Sequence, residues 1–357
     1  MLYSTDNLRI VGTQEVLPPA KLHLELPITD AASETIFNAR TQTQAILQGE
    51  DDRLVVIVGP CSIHDPEAAR EYAAKLAPLI TELKDELHII MRVYFEKPRS
   101  VVGWKGLIND PYLDGSFKIN DGLHFARKLL LDLAESHIPA ATEYLDLISP
   151  QYISDLISWG AIGARTTESQ AHRELASGLS CPVGFKNATD GGLQIAIDAC
   201  ISASKPHHFM SLTREGQSAI FSTTGNSDCH VILRGGKKPN YDAESVQTTA
   251  EQIGLSGQAA RFMIDCSHAN SGKNHIQQET VCHDIAQQLS EGENRIMGLM
   301  LESNLVAGRQ NQESGKKLVY GQSITDGCID WDASVAVLDR LAEAVRERRR
   351  SLGTVGK

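Results

Sequence analysis

The 357-residue chain is 41% hydrophobic and carries a formal charge of −11. That supplies a large buried core, and the acidic balance disfavours a general nucleic-acid binder, which needs a basic surface. No run of about 18 or more apolar residues predicts a membrane span. The N-terminus MLYSTDNLRIVGTQEVLPP lacks the features of a signal peptide, and seven scattered cysteines without a CxxC pair point to a reducing cytoplasm.

Residues 1–48 read as an extension, with prolines at 18, 19 and 27 and a helix predicted near 30–48. From residue 53 onward, short apolar runs alternate with amphipathic segments. The predicted strands are 53–60, 87–95, 139–145, 161–165, 182–186, 230–236, 261–268 and 296–303. Their apolar runs are continuous rather than alternating, as in parallel strands buried on both faces. After the first, Asp65 suits an N-cap and Pro66 the first helical position. Ala68, Ala69, Tyr72, Ala73 and Leu76 follow at helical spacing, and Pro78 predicts a kink or break near Ala77. Residues 121–136 form another periodic helix. Residues 207–226 break the pattern and read as an inserted β-hairpin turning at Gly216. Eight strand–helix units then remain within 49–345, which predicts an α/β fold of the (β/α)8 TIM-barrel type. A doubly wound open sheet is the alternative on pattern alone. RERRR at 346–350, inside a basic tail of 346–357, reads as a frayed, solvated helix end.

In a barrel of this type, functional side chains cluster at the C-terminal strand ends. Arg92, Lys97, Arg99, Arg165, Lys186 and Arg234 all fall there, together with Glu143, Asp265, His268 and Glu302. Like charges about 4 Å apart repel by up to roughly 4 kcal/mol at an effective dielectric near 20, so such a group needs anions to complete it. Arginines suit phosphate and carboxylate through paired hydrogen bonds. The run MRVYFEKPRSVVGWKG at 91–106 is then part of a pocket for phosphorylated substrates rather than a single-strand nucleic-acid platform. Cys61, His268, Glu302 and Asp326 form a mixed sulfur, nitrogen and oxygen set suited to a divalent transition metal. A Cys61–His268 nucleophile pair is a competing reading.

Eight ordered motifs carry a resemblance: GPCSIHDP (59–66), MRVYFEKPR (91–99), GWKGLINDP (103–111), WGAIGARTTESQ (159–170), PVGFKN (182–187), ILRGGK (232–237), DCSHAN (265–270), and ESN with SITD (302–304, 323–326). Over nearly its whole length the chain resembles 3-deoxy-D-arabino-heptulosonate 7-phosphate (DAHP) synthase of the short microbial class I type. The resemblance implies condensation of phosphoenolpyruvate with D-erythrose 4-phosphate, the first step of the shikimate pathway. It implies one divalent metal ion per subunit, Mn2+, Fe2+, Co2+ or similar, on Cys61, His268, Glu302 and Asp326. Arg92, Lys97, Arg165, Lys186 and Arg234 match phosphoenolpyruvate ligands. Lys97, Arg99, Ser100 and Asp326 match the erythrose 4-phosphate side. Lys97, Lys186, Glu143 and His268 are the candidate catalytic residues, with Glu143 handling the proton of an attacking water.

Near the barrel-mouth motifs the chain departs from the family at three places. Ser100 replaces Thr, Tyr112 stands where many members have His, and Ala188 replaces a Gly, which would cost about 1 kcal/mol if φ were positive there. Members of this type are often inhibited by an aromatic amino acid, and they assemble as homodimers or homotetramers. The matching effector region is Pro150, Gln151, Leu179, Ser180, Phe209, Ser211 and Phe221. Ser211 resembles the phenylalanine-responsive pattern, Phe221 replaces a smaller apolar residue, and Asn7 stands where an acid often lies. A related phosphoenolpyruvate-condensing synthase and a non-catalytic amino-acid sensor are the rival readings.

Overall fold

The computed structural model describes residues 3–99, 101–312 and 316–354. Two helices, α1 (Pro19–Glu25) and α2 (Asp30–Gln48), precede the first strand. Next come β1 (Leu54–Gly59), α3 (Pro66–Glu82), β2 (Leu87–Arg92), α4 (Ile119–Glu135), β3 (Ala140–Glu143) and the single turn α5 (Pro150–Ile153). They are followed by β4 (Trp159–Ile162), α6 (Gln170–Gly178), β5 (Val183–Lys186), α7 (Gln194–Ala203), β6 (His208–Leu212), β7 (Ser218–Ser222) and β8 (Cys229–Leu233). The chain continues through α8 (Ala243–Leu255), β9 (Phe262–Asp265), α9 (Gln277–Ser290), β10 (Ile296–Glu302), the short β11 (Val306–Arg309) and β12 (Gln322–Ser323), and α10 (Trp331–Thr354). Strands β1 to β5 and β8 to β10 pair in parallel and close, with β10 returning to β1. The fold is the TIM barrel, not the open sheet. No helix among the described residues is long and apolar enough to cross a membrane.

The strands read as continuous apolar runs because both faces are buried. In β1, Leu54, Val56 and Val58 pack under the helices, while Val55 and Ile57 fill the barrel interior. The pair β6–β7 stands apart as an antiparallel hairpin turning at Gly216, whose φ is +79°. It contacts the N-terminal segment, since Ala20 N–H donates to the Arg214 carbonyl at 2.6 Å.

Several local expectations change. β4 starts at Trp159, not 161, and ends at Ile162. Gly160 masked this, since it leaves room for a large ring, that of Tyr144. Asp65 caps α3 as expected, accepting from Glu67 and Ala68 N–H, but α3 runs unbroken through Pro78. Pro78 and Ala74 are both exposed, so the carbonyl that the proline leaves without a partner can be hydrated. Residues 346–350 are not a frayed end. Arg348 is 5% exposed, Arg346 pairs with Glu86 at 3.1 Å, and Arg349 pairs with Asp52 at 2.6 Å. Ala188 is not among the residues with positive φ, so the cost anticipated there does not arise.

Two buried polar groups tie loops to the frame. Arg127 of α4, fully buried, donates to the Leu26 and Tyr152 carbonyls and to both Asp155 oxygens at 2.7–2.9 Å. It holds the end of α1 and the α5 turn to the barrel. Glu96 accepts from Ser149 Oγ at 3.0 Å and, at 3.4 Å, from the Asp146 N–H, so the loop after β2 is anchored to the turn before α5. Burial, reinforced by the charge of Asp146, pushes its carboxyl up to about 7.

Replacing Arg127 by Met strands Asp155 and two carbonyls, and should cost about 3–5 kcal/mol in denaturant unfolding. Adding Asp155→Asn should recover part of that loss. For Glu96, the folded chain keeps a proton that the unfolded chain sheds near pH 4.5, so stability falls as pH rises from 4.5 through 7. Glu96→Gln should therefore raise the melting temperature relative to the parent at pH 8 and lose that advantage near pH 4.5. A pH-independent difference between the two proteins would refute this assignment.

Candidate active site

The two-residue period of the strands builds the site. Each strand's inward apolar positions, continued one step toward its C-terminal end, reach a polar layer. Ile90 leads to Arg92, Ala141 to Glu143, Ile232 to Arg234, Met263 to Asp265 and Met300 to Glu302; on β5, Gly184 leads to Lys186. On the other two strands the same step reaches glycine: Ile57 leads to Gly59 and Ala161 to Gly163. Neither glycine has room for a side chain. A Cβ at Gly59 would lie 2.8 Å from the Arg92 carbonyl oxygen, and one at Gly163 would collide with Glu143 Oε1.

The layer is internally paired. Arg92 meets Glu302 at 3.2 Å and Lys186 meets Asp265 at 2.7 Å, both in buried settings. Asp265 also meets His268 Nδ1 at 2.8 Å. Burial would raise the Asp265 carboxyl, but His268 and Lys186 hold it well below the usual carboxylate range. Gln278 fixes Glu302 by two backbone hydrogen bonds, at 3.0 and 2.9 Å. Buried asparagines of the PVGFKN and DCSHAN motifs brace the strand ends. Asn187 Oδ1 accepts from Arg234 N–H at 2.7 Å, and Asn270 Nδ2 donates to the Asp265 and Leu233 carbonyls.

Above this layer opens a cavity of about 470 Å³. Its wall includes Arg92, Lys97, Arg99, Arg165, Lys186, Arg234, Lys273 and Arg309, with Glu143, Glu302 and Asp326 as its carboxylates. The wall is strongly cationic even with Asp265 set behind Lys186. The excess comes from the loops, since the strand-end layer alone is balanced. Burial lowers the Arg234 guanidinium, and the charge of Arg165 adds to that shift against the opposing Asp265.

Lys97 Nζ lies 2.7 Å from Asp326 and 3.0 Å from Cys61 Sγ. Burial pushes the Cys61 thiol up to about 11, with the charge of Glu302 adding to it. Burial would likewise raise Asp326, but the Lys97 ammonium holds it well below its ordinary value. Ligand atoms of Cys61, Glu302 and Asp326 fall within 4.8 Å of one another, and His268 stands outside that set on the same cavity wall. One thiol and two carboxylates around a lysine ammonium are a donor set already compensated by a positive charge, which fits a divalent transition metal.

The predicted residues are distributed as follows. Arg92, Lys97, Arg99, Glu143, Arg165, Lys186, Arg234, His268, Glu302 and Asp326 share the cavity. Arg165 does so from the turn beyond β4, donating to the Pro98 carbonyl at 3.2 Å, not from the strand end as expected. Ser100 lies outside the described residues. Asp265 gains partners that its place in DCSHAN did not reveal, and Tyr94, Lys273, His275 and Arg309 join the wall unannounced. Inward parity after Arg92 would have flagged Tyr94. Of the effector candidates, Phe209 and Phe221 are cross-strand partners with stacked rings 6.1 Å apart, and Ser211 lies on the same hairpin. His23 of α1 reaches the Gln151 carbonyl at 3.2 Å beside Pro150. Leu179 accepts from Asn226 Nδ2, and Ser180 lines a second cavity of about 280 Å³ with Ile36, Phe37 and Arg40.

Comparison with known proteins agrees with this architecture. Residues 31–339 match the model of the DAHP synthetase I family. The chain is 59% identical over 349 residues to the Phe-sensitive phospho-2-dehydro-3-deoxyheptonate aldolase of Escherichia coli K12, covering 98% of this chain and 100% of that relative. It is 50% identical to a tyrosine-inhibited enzyme of the same name from Schizosaccharomyces pombe, covering 97% of this chain and 94% of that one. The solved phospho-2-dehydro-3-deoxyheptonate aldolase of Francisella tularensis SCHU S4 superposes with a TM-score of 0.93 at 51% identity, covering 95% of this chain and 99% of that structure. With a closed barrel, a cationic mouth and matches spanning almost its whole length, the chain belongs to the DAHP synthetase I family.

Proposed function

We propose that the barrel mouth joins phosphoenolpyruvate to D-erythrose 4-phosphate, giving DAHP and inorganic phosphate. The observation that carries this reading is the excess of cations over carboxylates around one cavity of about 470 Å³, a size ordinary for small-molecule sites. Phosphoenolpyruvate would lie across Arg92, Lys97, Arg165, Lys186 and Arg234. The sugar phosphate would lie toward Lys97, Arg99, Ser100 and Asp326. Held so, C3 of phosphoenolpyruvate bonds to the aldehyde carbon, whose oxygen takes up a proton, water adds at C2, and the bond between C2 and the bridging oxygen breaks as phosphate leaves with that oxygen. Placing both anions on a fixed layer converts an encounter of two solutes into a step within one complex. Lys186 and Arg234 stabilise charge on the departing phosphate, and Glu143 accepts the proton of the attacking water. A divalent ion such as Mn2+, Fe2+ or Co2+, held by Cys61, Glu302 and Asp326 with His268 as a further ligand, would supply Lewis-acid polarisation of the aldehyde oxygen. The Cys61 thiol would give up its proton to bind it.

The hairpin β6–β7, the α5 turn and α1 surround the effector candidates, and relatives carrying Phe-sensitive and tyrosine-inhibited names support feedback by an aromatic amino acid. We favour phenylalanine, with Pro150, Gln151, Leu179, Ser180, Phe209, Ser211 and Phe221 contributing. The assembly is a homodimer or homotetramer in this reading, working in the cytoplasm.

Purified protein should release phosphate from phosphoenolpyruvate only when erythrose 4-phosphate is present, and a chelator should abolish the release until Mn2+ is restored. Chelator-insensitive turnover would overturn the metal assignment. Release without the sugar phosphate would overturn the condensation. Glu143→Gln should lower kcat about 10²-fold or more while leaving phosphoenolpyruvate binding intact. Initial rates with phenylalanine, tyrosine and tryptophan in turn should show phenylalanine as the strongest inhibitor, and a flat response to all three would end the regulatory proposal.

A further inference from the structure

Tyr94 lines the cavity and plays no part in the reading above, and among the described residues its buried hydroxyl lacks a partner. It lies two residues beyond β2, is 1% exposed, and packs with the inward side chains Ala141, Trp159 and Ala161. Its ring lies under the Arg92 guanidinium, with Cζ 3.5 Å from the ring centroid. Among the described residues the hydroxyl, itself buried, has no hydrogen-bond partner, although Tyr94 lines the cavity. Of the carboxylates beside it, Glu302 is engaged by Arg92 and Asp265 by Lys186 and His268, and the hydroxyl is bonded to none of them, Glu143 included. A buried phenol left unmatched costs stability, so a fold that keeps one at the head of its binding layer calls for a further acceptor.

We propose that Tyr94 is a substrate-binding residue, whose ring sets the plane of the Arg92 guanidinium and whose hydroxyl donates to an anionic oxygen of the bound phosphoenolpyruvate. This rests on the condensation reading above. Arg92 Nε and Nη2 already donate to the Pro60 and Cys61 carbonyls and to Glu302, and stacking on the aromatic face helps hold that plane, so Nη1 meets an incoming anion with less entropy to lose. Burial pushes the phenol up, so the hydroxyl stays a donor throughout the working pH range.

The decisive comparison is between the parent and Tyr94→Phe, which keeps the ring and removes only the hydroxyl. Binding of phosphoenolpyruvate alone and of inorganic phosphate alone would be measured by calorimetry, with melting temperatures recorded in parallel. We expect phosphoenolpyruvate affinity to fall about tenfold, as for loss of a hydrogen bond to a charged group. The melting temperature without ligand should hold or rise, because no protein partner is lost. In turnover, KM for phosphoenolpyruvate should rise while KM for erythrose 4-phosphate stays put. If inorganic phosphate weakens in parallel, the acceptor is on the phosphoryl group; if it does not, the acceptor is the carboxylate. Tyr94→Leu, which also removes the stacking face, should weaken binding further. Affinity of Tyr94→Phe within twofold of the parent overturns the inference, as does a clear fall in its melting temperature, which would mark the hydroxyl as structural. A parent that fails to bind phosphoenolpyruvate at all would instead overturn the condensation reading.

Discussion

The closed parallel barrel imposes one constraint from which the rest follows: every second side chain of every strand must point into a space with no solvent. Mostly apolar residues fill it, joined by His230 of β8, and the step at the strand ends is charged on six strands and glycine on two. Charges in such a place are expensive unless matched. Arg92 with Glu302 and Lys186 with Asp265 meet that requirement within the layer. The layer is therefore rigid and nearly neutral, and the loops above it supply the surplus of positive charge. Those two pairs do not need to rearrange when an anion arrives.

Most of this was legible in the sequence because it obeys short periods. Continuous apolar runs gave away strands buried on both faces, and the breaks between them located the helices. The strand-end charges followed from the same positions. Features that depend on what lies across space were not legible. Asp265 is one acid among many until Lys186 and His268 are seen beside it. Glu96 looks like an ordinary loop carboxylate, since nothing local tells that the 146–149 turn will enclose it. The misplacement of β4 by two residues has a packing cause, for Gly160 within it is a hollow for the Tyr144 ring. Pro78 was misread because its cost depends on which side of the helix meets water.

The loop that carries Lys97 has two masters. On one side its ammonium bridges Cys61 and Asp326, so the charge of the donor set and the position of the loop are coupled. On the other, Glu96 anchors the same loop to the turn that opens α5, where Pro150 and Gln151 stand. Arg127 and His23 extend the chain of contacts from that turn to α1, and α1 touches the hairpin through Ala20. The parts are contiguous and polar, and each link is a discrete hydrogen bond. Geometry of this kind allows a remote ligand to bias a loop without the barrel itself deforming.

The arginines at the end of α10 give the molecule a clasp. Arg348 reaches the Asp52 and Glu293 carbonyls, Arg349 the Asp52 carboxylate, and Arg346 Glu86. These partners sit just ahead of β1, β10 and β2, at the end of the barrel opposite the cavity. The last helix thus fastens the ring where its first and final strands meet, using groups that no substrate touches. Integrity and chemistry are lodged at opposite poles, so wear at the clasp would loosen the seam of the barrel well before it altered the mouth.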